Sequence, residues 1–318
     1  MLFCITLFLQ NSCAKMQKVT EKISVIGDKM KTAVLTDSSC GMTQAEAKAM
    51  GVFMLPMPFY INDEIFYEEV DLSQEEFYDK LLNDVNIKTS QPLPGDVMDM
   101  WESILKDYDE IVYIPLSSGL SGSVAAAKLW ASEYDDKVVV VDNQRVSVTL
   151  RSSVRDAKIM ADKGMNAKEI CKILEKTKLD SSIYIMVDTL SYLSKGGRLT
   201  PAAAAIGTLL KIKPVLQIQG EKLDAFAKAR SVKHAKTTML DAVEKDMKKR
   251  FKDNDGSKCE IAMAYTHNPE EAEIFKAEVI ERFGLSPEDV VMNPLALNIA
   301  CHIGPGALAV TISKKLDT

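Results

Sequence analysis

Two stretches, Ile111-Val112-Tyr113-Ile114 and Val138-Val139-Val140-Val141, are apolar at every position rather than at every second one. A strand with that composition is buried on both faces, so its sheet must carry helices above and below. Residues 123–133 between them have helical spacing. Strand, helix and strand in that order predict a right-handed crossover joining two parallel strands. The alternation continues on either side: a strand at 32–36, a helix at 43–50 and a strand at 52–57. Ser73 and Glu76 form a capping box that opens a helix at 75–83, and helices at 148–163 and 167–178 follow. The expected fold class is α/β with a parallel sheet in this first part.

A second unit begins near Asp180. It holds a strand at 182–187, the Gly196-Gly197 pair, an Ala-rich helix from Pro201 and a strand at 214–219. A helix at 232–249, a strand at 260–265, a helix at 269–283 and strands near 290 and at 307–312 complete it. With 318 residues the chain suits two domains. The expected division is an N-terminal extension at 1–29, a first α/β domain at 30–179 and a second at 180–318.

Charge and composition exclude several classes. The net charge is −6, so a nucleic-acid partner is not expected. The basic run 245–252 is broken by Asp246 and reads as a solvated helix face. The six cysteines form no CxxC pair and no zinc spacing, which fits reduced thiols in a cytoplasmic protein. No two of the three histidines stand four residues apart, so an HExxH metal site is excluded, and no cofactor is expected. The apolar stretch at 1–9 is too short to span a bilayer and lacks the basic flank of a signal peptide. No later run reaches 18 apolar residues, so no integral membrane segment is expected, and the expected state is a monomer.

Three polar loops fall where strands of the first domain end, the ligand edge of an open α/β sheet. They are Thr36-Asp37-Ser38-Ser39, Thr89-Ser90-Gln91-Pro92 and Ser117-Ser118-Gly119-Leu120-Ser121-Gly122-Ser123. The third gathers hydroxyls and N–H groups at a helix N-terminus, which serves equally as a helix cap or as an anion or carboxyl site. It lacks the second glycine of a G-x-S-x-G elbow and is not a Walker A loop. A small-molecule hydrolase or acyl/phosphoryl transferase using Ser121 stands as the alternative reading. In the second domain Lys195-Gly196-Gly197-Arg198, Lys228-Ala229-Arg230 and His302-Ile303-Gly304-Pro305-Gly306 place cations and an imidazole beside turns.

Taken in order, these motifs resemble the DegV family of bacterial fatty-acid-binding proteins, over residues 30–318. The resemblance implies a two-domain DegV-like fold, with a parallel-sheet N-terminal domain and a mixed sheet in the C-terminal one. It also implies one long-chain fatty acid held in a tunnel between the domains. The carboxyl group would be presented to a separate fatty-acid kinase that makes acyl phosphate for phospholipid synthesis, with no catalysis by this chain. Carried over by motif, Thr89 and Ser121 would hydrogen-bond the carboxyl group, and Arg198 and His302 would complete the polar network. Ser90, Ser118 and Gly122 of the same loops are expected to join them, and Arg230 with Lys228 would meet the kinase. One departure stands out. Family members usually carry a Ser-x-Gly-x-Gly run where this chain has Ser147-Val148-Thr149-Leu150-Arg151, with both glycines gone.

Overall fold

The computed structural model describes residues 30–83, 85–205 and 212–316. The extension expected at 1–29 lies outside the described residues, as does the part of the Ala-rich segment beyond Ala205.

The first sheet is four-stranded and parallel throughout. It contains β1 (Thr32–Asp37), β2 (Phe53–Leu55), β6 (Glu110–Ile114) and β7 (Val138–Val140), in the order β2-β1-β6-β7. Between β2 and β6 come three short strands, β3 (Pro58–Ile61), β4 (Glu64–Tyr67) and β5 (Ile87–Thr89), which form a separate antiparallel sheet in the order β4-β3-β5. The chain then returns as β6 and, after the helix Ser123–Ala131, as β7. Leu35 of β1 lies opposite Phe53 on one side and Tyr113 on the other. The fully apolar strands are covered on both faces, as their composition demands.

The second sheet has six strands: β8 (Ser181–Met186), β9 (Lys213–Ile218), β10 (Asp224–Ala229), β11 (Cys259–Tyr265), β12 (Val291–Pro294) and β13 (Leu308–Lys314). Their order is β10-β9-β8-β13-β11-β12. Only the β11–β12 pair is parallel, so the sheet is mixed. The helix Ser147–Asp162 forms a middle layer between the sheets. Leu150, Val154 and Ala157 pack into the core of the parallel sheet. Val148 packs instead into a cluster with Ile183, Ile185 and Leu216 of the mixed sheet. Arg155 donates to the Glu260 carboxylate of β11 at 2.5 Å, fixing the layer from the other side.

Two elements differ from expectation. The strand expected at 52–57 pairs only over Phe53–Leu55, because Pro56 and Pro58 bracket the crossing into the three-stranded sheet. The helix expected at 232–249 is α-helical over Val232–Lys245 and widens to a π turn at Asp246–Arg250. There the buried Asp246 carboxylate accepts hydrogen bonds from Ser182 at 2.5 Å and from Tyr184 at 2.9 Å, pulling the turn onto β8.

Candidate functional site: two joined chambers at the sheet edge

The chain leaves β1 toward β2 on one side and returns to β6 on the other. Open α/β sheets bind ligands in the crevice that such a reversal leaves at the carboxyl ends of the strands. Asp37, at the end of β1, is fully buried and bridges this crevice. Its carboxylate accepts from the Leu116 N–H at 2.8 Å and from the Ser39 N–H at 3.0 Å. Burial nevertheless pushes its pKa up to about 6, the hydrogen bonds opposing the shift only in part.

Thr89, Ser90, Ser121, Gly122, Arg198 and His302 all line one chamber of about 130 Å³ beside this crevice. Thr89 ends β5, where pairing with Phe59 of β3 fixes it. Its hydroxyl lies 2.9 Å from Nε2 of His302, which the helix Leu297–Ile303 brings from the other domain. Burial, aided by the Arg198 charge, pushes the His302 pKa down to about 4, so the ring is neutral at pH 7. Glycine is required at position 196: a Cβ there would sit 2.5 Å from Nδ1 of His302. Arg198 donates through Nη1 to the Gly196 carbonyl and through Nε to that of Leu120 at 3.4 Å, which ties the second domain to the loop at 117–122. Ser121 Oγ lies 2.7 Å from Ser123 Oγ and accepts from the Ser123 N–H at 3.2 Å.

Ser118 stands apart from this group. It is exposed, its N–H lies 3.4 Å from the Asp142 carboxylate, and it does not line the chamber. Lys228 and Arg230 are exposed on and just past β10, an edge strand, far along the sheet from β13 and β11. Among the described residues neither is held by a carboxylate. The nearby acids are engaged elsewhere: Asp224 accepts from Thr200 at 2.6 Å and Glu221 from Gln144 at 3.3 Å.

The polar chamber does not end at its polar walls. Leu120, Leu223, Ile299 and Ile303 also line a second, apolar chamber of about 40 Å³. This continues between Val146 and Val148 of the middle layer and Ile183, Ile185 and Ile218 of the mixed sheet. On the outer side Thr89, Arg198 and His302 face a wider space of about 510 Å³ bounded by Lys88, Tyr192 and Lys195. The arrangement therefore runs from a cationic vestibule through a hydroxyl- and imidazole-lined neck into hydrocarbon.

Two further residues of the polar chamber, Gln91 and Asn298, were not singled out from sequence. Asn298 carried a signal, as the lone polar residue in Leu295-Ala296-Leu297-Asn298-Ile299-Ala300. At the missing glycines, Thr149 is buried and donates to the Val146 carbonyl at 2.8 Å. Arg151 reaches Glu46 at 2.9 Å and Asn293 at 3.2 Å, linking the two domains where a glycine would contribute nothing. Among the described residues no cluster of His, Cys, Asp or Glu could hold a metal ion, and no helix is long and apolar enough to cross a membrane.

Comparison with known proteins agrees with this architecture. A family model described as "Uncharacterised protein, DegV family" matches residues 31–315. A DegV domain-containing protein of Listeria innocua is 30% identical over 290 residues, covering 90% of this chain and 99% of the relative. A DegV family protein from Thermus thermophilus, solved for its fatty-acid binding, shares 28% identity with a TM-score of 0.80, over 90% of this chain and all of that one. DegV of Bacillus subtilis, a fatty-acid-binding protein, superposes with a TM-score of 0.77 at 28% identity, over 90% of this chain and 100% of that one. With its parallel and mixed sheets, and with a family match over nearly its whole length, this chain belongs to the DegV family.

Proposed function

We propose that this protein binds one long-chain fatty acid, with the carboxyl group in the polar chamber and the acyl chain in the apolar one. The observation that carries this reading is the junction itself: four residues wall both chambers, so a polar space adjoins an apolar one, the pairing that a ligand with a polar head and an apolar tail calls for. The fatty-acid binding of the Thermus and Bacillus relatives supports it. Thr89 and Ser121 would bond the carboxyl oxygens, with Arg198, His302, Ser90 and the Gly122 backbone completing the shell. Ser118 is left out of this shell, being exposed.

Burying about fifteen methylenes contributes roughly 12 kcal/mol before ordering costs, so the tail supplies the affinity. The head-group contacts can then be modest. Neutral hydroxyls orient a carboxylate without neutralising it, whereas a bidentate arginine would grip it. The guanidinium of Arg198 already donates to two carbonyls, which suits a limited role. The carboxylate thus stays available to a phosphoryl donor. On this reading a separate cytoplasmic kinase transfers the γ-phosphoryl group of ATP to a carboxylate oxygen, giving acyl phosphate and ADP. Lys228 and Arg230 would form part of the surface it meets, and this chain, as a monomer, would carry the substrate without catalysing the step. The enzyme alternative has less behind it, since Ser121 is bonded to Ser123 and His302 to Thr89.

Protein purified from a bacterial host should release a fatty acid on solvent extraction, identified by mass spectrometry. Protein that is clean, and that also takes up neither oleate nor palmitate, would overturn the reading. Thr89→Ala and Ser121→Ala should each weaken fatty-acid binding by about 0.5–1.5 kcal/mol. Phosphorylation by the partner kinase should fall more steeply than binding, and equal losses in the two assays would contradict a positioning role.

A further inference from the structure

Asn298, Ile299, His302 and Ile303 all line the polar chamber, and all four ride on the helix Leu297–Ile303. Seven residues make two turns, too few to hold a direction without tertiary contacts, so the helix is placed by what fastens it. Its first N–H groups have no partner within the helix, and Ala296 at its cap makes no side-chain hydrogen bond. Glu68 supplies one from 229 positions away, accepting from the Leu297 N–H at 2.8 Å. Its other oxygen accepts from Gln74 Nε2 at 2.8 Å, and the same nitrogen donates to the Leu295 carbonyl at 3.3 Å. The chain entering the helix is thus gripped on both sides of Ala296. The far end is held separately, Thr266 donating to the Gly304 carbonyl at 2.7 Å, so losing Glu68 would tilt the helix rather than free it.

Glu68 directly follows β4, and Thr89 ends β5 of the same three-stranded sheet, where Phe59 of β3 pairs with both Thr89 and Phe66. One small sheet therefore touches the helix twice. Glu68 meets its start, and the Thr89 hydroxyl lies 2.9 Å from His302 Nε2 in its last turn. The two contacts stand about 7.5 Å apart along the helix axis. With only the second in place, a shift of about 0.6 Å at His302 ends the hydrogen bond to Thr89. That bond bears on the ligand. An ionised carboxylate only accepts, so it is served when His302 donates to Thr89 and leaves the hydroxyl proton for the head group. We propose that Glu68, which lines neither chamber, is a positioning residue of the head-group site: it holds His302 against Thr89 and so sets the affinity for the carboxylate rather than for the acyl chain. The inference rests on the fatty-acid reading above and adds to it a residue that touches no ligand.

The test is a set of competition titrations on lipid-stripped, full-length protein, with palmitate and 1-hexadecanol as the ligands. The alcohol has a chain of the same length, but its hydroxyl donates or accepts, so it does not depend on which way the Thr89 proton points. Glu68→Ala should weaken palmitate about three- to tenfold, the worth of one net hydrogen bond, and leave hexadecanol within about twofold of the wild type. Glu68→Gln keeps an acceptor for the Leu297 N–H and should recover most of the palmitate affinity. Glu68→Asp, which draws the carboxylate back by one carbon, reads the same ratio if Glu68→Ala does not fold. Parallel losses for the two ligands, an unchanged palmitate affinity, no recovery in Glu68→Gln, or unfolding of both the Ala and the Asp variants would overturn the inference. A wild-type protein that binds no palmitate would instead overturn the fatty-acid reading on which it rests.

Discussion

Buried carboxylates fasten the pieces around the site, and Glu68 shows what that fastening costs. Its two oxygens accept from the Leu297 N–H at 2.8 Å and from Gln74 Nε2 at 2.8 Å, holding the small antiparallel sheet against the helix that carries His302. Burial pushes its pKa up to about 7, against the pull of those two bonds. Between the ordinary value near 4.5 and about 7 the folded protein therefore holds a proton that the unfolded chain has lost. The contribution of Glu68 to stability is present below that window and lost as pH rises through 7, by up to about 3 kcal/mol. Glu68→Gln keeps an acceptor for Leu297 and removes the titration. Its melting temperature should change less between pH 5 and pH 8 than that of the wild type, and an identical change in both would refute the assignment.

Among the elements, the loop at 117–122 meets the second domain most closely at Gly119. A Cβ at Gly119 would lie 2.1 Å from the Glu221 carbonyl oxygen, so backbone meets backbone across the two domains at this point. Gly119→Ala must push the 220–221 turn away, and with it Leu223 at the junction of the chambers. An overpacking loss of about 1–3 kcal/mol is expected, together with less retained lipid. Gly95→Ala is the control: it lies in the helix Pro94–Ile104 with nothing within 4 Å of the added methyl, and should stabilise by about 1 kcal/mol. Similar melting curves for the two variants would mean that the joint yields easily. The three-stranded sheet holding Thr89 is one of the elements that sequence does not reveal, with the helices Pro94–Ile104 and Leu297–Ile303, although Asn62 and Asp63 have the makings of a hairpin turn. Both adopt positive φ, 51° and 68°, between Phe59-Tyr60-Ile61 and Glu64-Ile65-Phe66. Short strands bracketed by prolines gave too little periodicity to separate them from β2.

At the scale of the whole molecule, an acidic protein presents Lys228 and Arg230 on one exposed sheet edge, away from the chambers. Rim charges act mainly on association rate and its salt dependence. Arg230→Ala should keep its melting temperature and its lipid while slowing acyl-phosphate production most at low salt, measured with the partner kinase. A variant that melts early and loses lipid would make Arg230 a structural residue. Sequence alone determined the α/β class, the parallel first sheet and most helices, because burial on both faces and helical periodicity are local properties of the chain. The family resemblance is what pointed to Thr89, Ser121, Arg198 and His302, because hydroxyls, glycines and cations beside a turn serve equally well as caps or solvated charges when read locally. Only the tertiary structure decided that Thr89 meets His302 across 213 positions, that Ser118 faces out, and that Asn298 completes the polar wall. Those facts depend on how two sheets close over a shared middle helix, and no periodicity within a single segment encodes that closure.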